Sequence, residues 1–130
     1  MLVILGSRDH FLSNHLGRLL DAVGLRKIRT VKMDRILREL KQPERMAILD
    51  MSWKELQAPG LLRRLVNIAK ISRNKVVLFC PNDEEELKKQ ARQARPNEVF
   101  IRYDIELEFR AFLNEIVKEE LKNPGRGTNI

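Results

Sequence analysis

The sequence predicts an α/β protein with a single five-stranded parallel sheet covered by helices on both faces, the doubly wound (βα)5 arrangement. Short apolar runs alternate five times along the chain with segments in which apolar residues recur at helical spacing. Such alternation is typical of parallel sheets with crossover helices. Several of the runs are continuously apolar, as in strands that are buried on both faces. The length of 130 residues suits one domain.

The predicted strands are short apolar runs that are bounded by charged residues, glycine or proline. They cover residues 2–5, 28–31, 46–49, 76–79 and 99–101. The fourth run is the clearest, because it contains two valines and ends before Pro81. The second run is the weakest, since only Ile28, Thr30 and Val31 support it.

Between the strands, apolar residues recur every three or four positions, which places them on one face of a helix. These helical segments cover residues 12–23, 33–40, 61–69, 83–95 and 109–121. Asp9 or Ser7 is expected to cap the first helix, and Gly24 is expected to end it. Asn82 and Glu85 resemble a capping box at the start of the fourth helix, whose apolar stripe is thin.

Composition excludes several classes of protein. No apolar run approaches the roughly 20 residues of a membrane-spanning helix, and Cys80, the single cysteine, excludes a disulfide framework. We therefore expect a cytoplasmic protein. The net charge is +7, and residues 1–75 carry 16 Lys and Arg against 7 Asp and Glu. The basic half is either a solvated, charge-rich surface or a nucleic-acid interface.

In an open parallel sheet, the functional crevice lies at the carboxyl ends of the strands. Polar or charged residues follow the first, third and fifth predicted strands, and a cysteine follows the fourth. These candidates are Gly6, Ser7, Asp50, Cys80 and Arg102. We find no nucleophile paired with a base and no nucleotide-binding fingerprint, so no enzymatic activity is predicted. His10 and His15 lack a third ligand, so no metal site is predicted.

The residues around these positions resemble the receiver domain of bacterial two-component response regulators. The resembling stretches are LLDAVGLRKI, RMAILDMSW, VVLFCP and EVFIRY, and together they extend the resemblance from residue 1 to about residue 121. Asp50 precedes Cys80 by 30 positions, and Cys80 precedes Arg102 by 22, which are receiver-like spacings. The resemblance implies a flavodoxin-like fold over residues 1–122. Residues 123–130 are expected to form a flexible tail or linker.

The resemblance also implies a role for each candidate. Asp50 lies at the phosphoacceptor position, while Gly6 and Ser7 stand where receivers carry the acidic pair that binds Mg²⁺. Cys80 replaces a threonine or serine hydroxyl, and Arg102 replaces a lysine. Because one of these four elements is intact, we predict a pseudo-receiver that needs no cofactor. Mg²⁺ is expected only if Asp50 is phosphorylated.

Two states of Asp50 stay open at this point. The carboxylate either accepts a phosphoryl group or forms an ion pair with Arg8 or Arg102. Cys80 is expected to be buried and inert.

Receiver domains commonly contact partners through the face of the fourth helix, the fifth strand and the fifth helix. Here that face implies five candidate contact residues: Lys88, Arg92, Tyr103, Glu106 and Arg110. The aromatic switch position of the family falls at Val99, so an aromatic switch is not expected.

We therefore predict a non-catalytic signalling module, the N-terminal part of a bacterial transcriptional regulator, which binds a protein partner or a second copy of itself. The first alternative is a receiver that is phosphorylated on Asp50. The second is a nucleic-acid-binding α/β domain that uses the basic half.

Overall fold

The computed structural model describes residues 1–122, which form one five-stranded sheet. The predicted tail, residues 123–130, lies outside the described residues. All four strand pairings are parallel, and the strand order is β2-β1-β3-β4-β5. The strands are β1 (Leu2–Gly6), β2 (Arg26–Arg29), β3 (Arg45–Asp50), β4 (Lys75–Cys80) and β5 (Glu98–Ile101). The predicted fold class is confirmed.

Five α-helices connect or follow the strands. They are α1 (His10–Ala22), α2 (Met33–Glu39), α3 (Leu61–Ile71), α4 (Glu85–Gln93) and α5 (Arg110–Lys122). Two separate hydrophobic cores result, one on each face of the sheet. Helices α1 and α5 bury their apolar residues in one core, and α2, α3 and α4 bury theirs in the other. Within residues 1–122, no helix is long and apolar enough to cross a membrane.

The edge strand β2 begins earlier than the sequence predicts. It pairs with β1 from Arg26 to Arg29, and the amide of Thr30 donates the next hydrogen bond to the carbonyl of Leu5 (3.1 Å). Val31 lies beyond the strand. The predicted strand starts two residues too late because the side chains of this edge strand are largely polar and give no apolar run. The strand is instead specified by backbone pairing with β1.

The predicted cap of the fourth helix is wrong. Helix α4 begins at Glu85, and Asp83 has a positive φ of 62°, which separates Asn82 from the helix. The Asn82 side chain instead accepts a hydrogen bond from the amide of Tyr103 (3.0 Å). It therefore links the loop after β4 to the segment after β5. Only Ala91 of α4 is fully buried, as its thin apolar stripe predicts.

Helix α5 is entered through irregular helical turns. A 3-10 turn at Arg102–Asp104 leads into a π-helical turn at Ile105–Phe109, which buries its first and last residues. Phe109 packs edge-on against Phe79 and Phe100, with ring centroids 5.0 and 5.6 Å away. Such edge-to-face contacts suit the charge distribution of aromatic rings. These phenylalanines are therefore core residues rather than surfaces for stacking bases.

Candidate functional site

The candidate site lies at the carboxyl end of β3, where Asp50 is a buried charged residue. Both of its carboxylate oxygens accept short hydrogen bonds. The Ser7 hydroxyl donates to Oδ2 (2.7 Å), and the amide of Ser52 donates to Oδ1 (3.0 Å). Ser7 follows β1 and Ser52 follows β3, so the parallel sheet brings both to the same edge. A buried carboxylate requires such partners because its desolvation is costly.

Arg102 completes this site from the far side of the sheet. Its Nη2 lies 3.4 Å from Oδ2 and 3.5 Å from Oδ1 of Asp50, and 3.4 Å from the Ser52 hydroxyl. Its Nη1 donates to Oδ2 of Asp9 at 2.7 Å. One guanidinium therefore bridges two carboxylates, which we call the Arg102 bridge. Of the two arginines considered as partners of Asp50, Arg8 instead contacts Glu55 (3.4 Å).

Asp9 has two functions in this arrangement. It is the N-cap of α1, where its side chain accepts the amide of Leu12 (3.2 Å), and it binds Arg102. Burial alone would raise the pKa of Asp9, but the Leu12 amide and the Arg102 guanidinium outweigh that effect and lower it. Ser7, the other predicted cap, accepts the amide of Asp9 (3.0 Å) and does not cap the helix. The bridge through Asp9 was not predicted, because 93 positions separate it from Arg102.

Gly6 stands in a space that a side chain could not enter without displacing its neighbours. A Cβ atom there would lie 2.8 Å from Leu49 Cδ2, and 3.3 Å from both Ile36 Cδ1 and Trp53 Cζ3. Trp53 is almost fully buried. The core therefore fills the space beside Gly6, where the resemblance implies part of the acidic pair of receivers. The sequence signal for this was a large aromatic residue three positions after Asp50.

The contacts of Asp9 and Asp50 with arginine disfavour Mg²⁺ at this site. Among the described residues, no group of three or more His, Cys, Asp or Glu side chains is placed to hold a metal ion. The two carboxylates nearest the site, Asp9 and Asp50, both contact the Arg102 guanidinium. A cation approaching either oxygen would meet this positive charge.

Cys80 ends β4 and is fully buried in the core that contains α2, α3 and α4. Burial raises the pKa of its thiol to about 11. The thiol is therefore protonated at neutral pH and is a weak hydrogen-bond donor.

The candidate contact residues fall into two groups. Lys88 and Arg92 line a shallow cavity on α4, where Lys88 lies 3.7 Å from Glu85. Glu106 and Arg110 pair with each other at 3.0 Å, and Glu106 also contacts His15 of α1 (2.5 Å).

Tyr103 lies at the start of the segment that follows β5, and its residue is 74% exposed. Its backbone contact with Asn82 joins that segment to the loop before α4. Glu106, in contrast, is turned towards α1 rather than α4.

The sequence matches no family profile and no curated protein. Comparison with solved structures gives clear matches. A response regulator from Colwellia psychrerythraea superposes with a TM-score of 0.63 at 17% identity, over 91% of this chain and 97% of that one. The chain has the receiver fold. A CheY-like receiver domain protein from Methanospirillum hungatei JF-1 gives a TM-score of 0.58 at 15% identity, over 91% and 97% of the two chains.

Full-length FixJ from B. japonicum matches with a TM-score of 0.62 at 15% identity. The match covers 94% of this chain but 58% of FixJ. The receiver fold thus accounts for part of that longer protein. At these identities the likeness concerns the fold alone.

Proposed function

We propose that this chain is a pseudo-receiver, a non-catalytic signalling module that acts through protein contacts and not through an aspartyl phosphate. The observation that carries the proposal is the Arg102 bridge. Its guanidinium occupies the approach to Asp50 and supplies the positive charge that a bound cation would otherwise supply. The closed space at Gly6 supports the same conclusion, because no carboxylate fits there without rearrangement of the core.

The proposed partner is a protein or a second copy of the chain, bound at the face that includes Lys88, Arg92, Tyr103, Glu106 and Arg110. Tyr103 supports this choice, because a large exposed aromatic side chain is a common anchor in interfaces. We further propose that the chain is the N-terminal part of a cytoplasmic, bacterial transcriptional regulator. Contact with nucleic acid would then belong to another domain.

The test uses Trp53, whose ring packs against Gly6 at the candidate site. Its fluorescence is recorded while Mg²⁺ and then beryllofluoride, a phosphoryl mimic, are added. We expect no saturable change up to tens of millimolar Mg²⁺, well above what a water-rich Mg²⁺ site requires. Mass spectrometry after incubation with acetyl phosphate is expected to show no phosphoryl adduct.

The alternative is a receiver that is phosphorylated on Asp50. One distance favours it: Arg102 lies closer to Asp9 (2.7 Å) than to Asp50 (3.4 Å), so Asp9 alone could retain the guanidinium. A saturable fluorescence change or an adduct that is absent from Asp50→Ala would establish this alternative and refute the pseudo-receiver proposal. An adduct retained in Asp50→Ala would identify modification elsewhere.

A separate measurement tests the proposed self-association. Light scattering during gel filtration gives the mass of the native chain and of Tyr103→Ala over a range of concentrations. A dimer that dissociates in the variant supports a homodimer at this face. If the native chain and Tyr103→Ala are both monomers, the partner is a different protein. If both are dimers, the dimer interface lies at another face.

A further inference from the structure

A wide groove lies at the β2 edge of the sheet, far from α4 and β5 in the strand order. It runs along the loop after β2 and along α2, and Glu55 borders it. Its volume is about 1120 Å³. Four of its lining residues are cations: Arg29, Lys32, Arg35 and Arg38. None of the five candidate contact residues of the proposed function takes part in it.

The cations of the groove form no ion pair within the described chain. The side chains of Lys32, Arg35 and Arg38 form no hydrogen bond or ion pair within residues 1–122. Arg29 binds neutral groups, the side-chain oxygen of Asn14 (2.8 Å) and the carbonyl of Ser13 (3.1 Å). None of the four groove cations is therefore paired with a carboxylate within residues 1–122.

The acids that border the groove mostly have other partners. Glu39 is bound by Arg45 at 2.9 Å, and Glu55 lies 3.4 Å from Arg8. Asp34 is the one groove carboxylate without an ion pair among residues 1–122. The groove consequently attracts anions, and its arginines suit carboxylates or phosphates, which accept two parallel hydrogen bonds from a guanidinium.

The lining of the groove distinguishes between anionic partners. Half-buried Val31 and Met33 give it an apolar component beside the cations. Within the described residues, no aromatic side chain lines it, so it offers no platform for the stacking of unpaired bases. These features favour a peptide that combines carboxylates with apolar side chains.

We propose that this groove binds an acidic, partly apolar peptide segment of a protein partner. Carboxylates of the segment pair with Lys32, Arg35 and Arg38, and its apolar side chains contact Val31 and Met33. The proposal is independent of the state of Asp50 and of the contact face around Tyr103. It identifies a second interaction surface at the opposite edge of the sheet.

The test is fluorescence anisotropy with a labelled peptide of alternating glutamate and leucine, added to the full chain. A second peptide has glutamine in place of glutamate, and a mixed-sequence DNA duplex is the third probe. We expect saturable binding of the glutamate peptide and at least tenfold weaker binding of the glutamine peptide. Arg35→Glu with Arg38→Glu should weaken binding of the glutamate peptide at least tenfold.

The matched control is Arg64→Glu with Lys70→Glu on α3, which changes the net charge equally at exposed positions outside the groove. It should change the affinity for the glutamate peptide less than twofold. Circular dichroism confirms that both variants are folded. The proposal is overturned if both variants lose binding equally, if the glutamate peptide does not bind, or if the DNA duplex binds more tightly at the same salt concentration.

Discussion

At the scale of single residues, Arg102 determines the chemistry of the site. Asp50 is buried; its carboxylate contacts this guanidinium, which it shares with Asp9, and accepts hydrogen bonds from Ser7 and Ser52. An unbalanced buried carboxylate is costly, whereas a bridged one is tolerated. Under the proposed function, the Arg102 bridge makes Asp50 a structural contact. This interpretation makes a direct prediction about stability.

Arg102→Met should lower the free energy of unfolding by about 1–3 kcal/mol, between the values typical of exposed and buried ion pairs. Urea denaturation measures this change. The same measurement on Arg110→Met is the control, because Arg110 forms an exposed pair with Glu106 and its loss should cost less than about 1 kcal/mol. Equal losses in the two variants would show that the bridge adds no stability.

The pKa of Asp9 gives a prediction for pH dependence. Because the folded-state pKa of Asp9 is lowered below its ordinary value of 3.8, its carboxylate stabilises the fold above that value. This contribution is lost as the pH falls below about 4 towards the folded pKa. We expect Asp9→Asn to be less stable than the native chain at neutral pH, and the difference to shrink in acid. Thermal unfolding between about pH 6 and 3 measures it. A difference that is constant over this range would contradict the assigned role.

At the scale of elements, buried strands and amphipathic helices were predictable because their apolar patterns reflect burial on the two faces of the sheet. Strand β2 and the start of α4 were harder to predict from the sequence. Pairing at an edge strand involves mainly backbone groups, and the positive φ of Asp83 arises from the loop and not from an apolar pattern. The candidate positions Asp50 and Arg102 could be located from strand ends. The participation of Asp9 and the packing of Trp53 against Gly6 depend on distant segments, which local patterns do not encode.

Asn74 illustrates how a single side chain joins elements. It is buried before β4, and its amide donates to the carbonyls of Leu40 and Gln42, while its oxygen accepts the amide of Arg45. Asn74→Ala should lower the free energy of unfolding by about 2–4 kcal/mol, because several backbone groups lose their partner at once. Chemical denaturation measures this change. Asn82→Ala, which removes one exposed hydrogen bond to Tyr103, is the matched control. A smaller loss for Asn74→Ala than for this control would refute the role.

At the scale of the whole molecule, the parallel sheet brings the ends of β1, β3 and β5 to one edge. Side chains of the chain itself occupy that edge. Arg102 covers Asp50 from one direction, and Trp53 closes the space at Gly6 from the other. Four cations, Arg29, Lys32, Arg35 and Arg38, line the groove along α2 at the β2 edge. The buried Asp50 site and the open, charged groove therefore lie at different places on the molecule. Contacts at the surface, rather than chemistry at the crevice, are consistent with this arrangement.

If the crevice is closed by packing, restoring one acidic residue should not reopen it. Gly6→Asp places a side chain against Leu49 and Trp53, and overpacking of this kind typically costs about 1–3 kcal/mol. Burial of the new carboxylate adds to that cost. We therefore expect Gly6→Asp to unfold at a lower temperature than the native chain and to bind no Mg²⁺ in calorimetric titrations. Asn67→Asp, at an exposed position on α3, adds the same single negative charge and is the control for the charge change. Saturable Mg²⁺ binding by Gly6→Asp would show instead that the Arg102 bridge yields to a metal ion once a second carboxylate is present, and that closure by packing is not what keeps the site inactive.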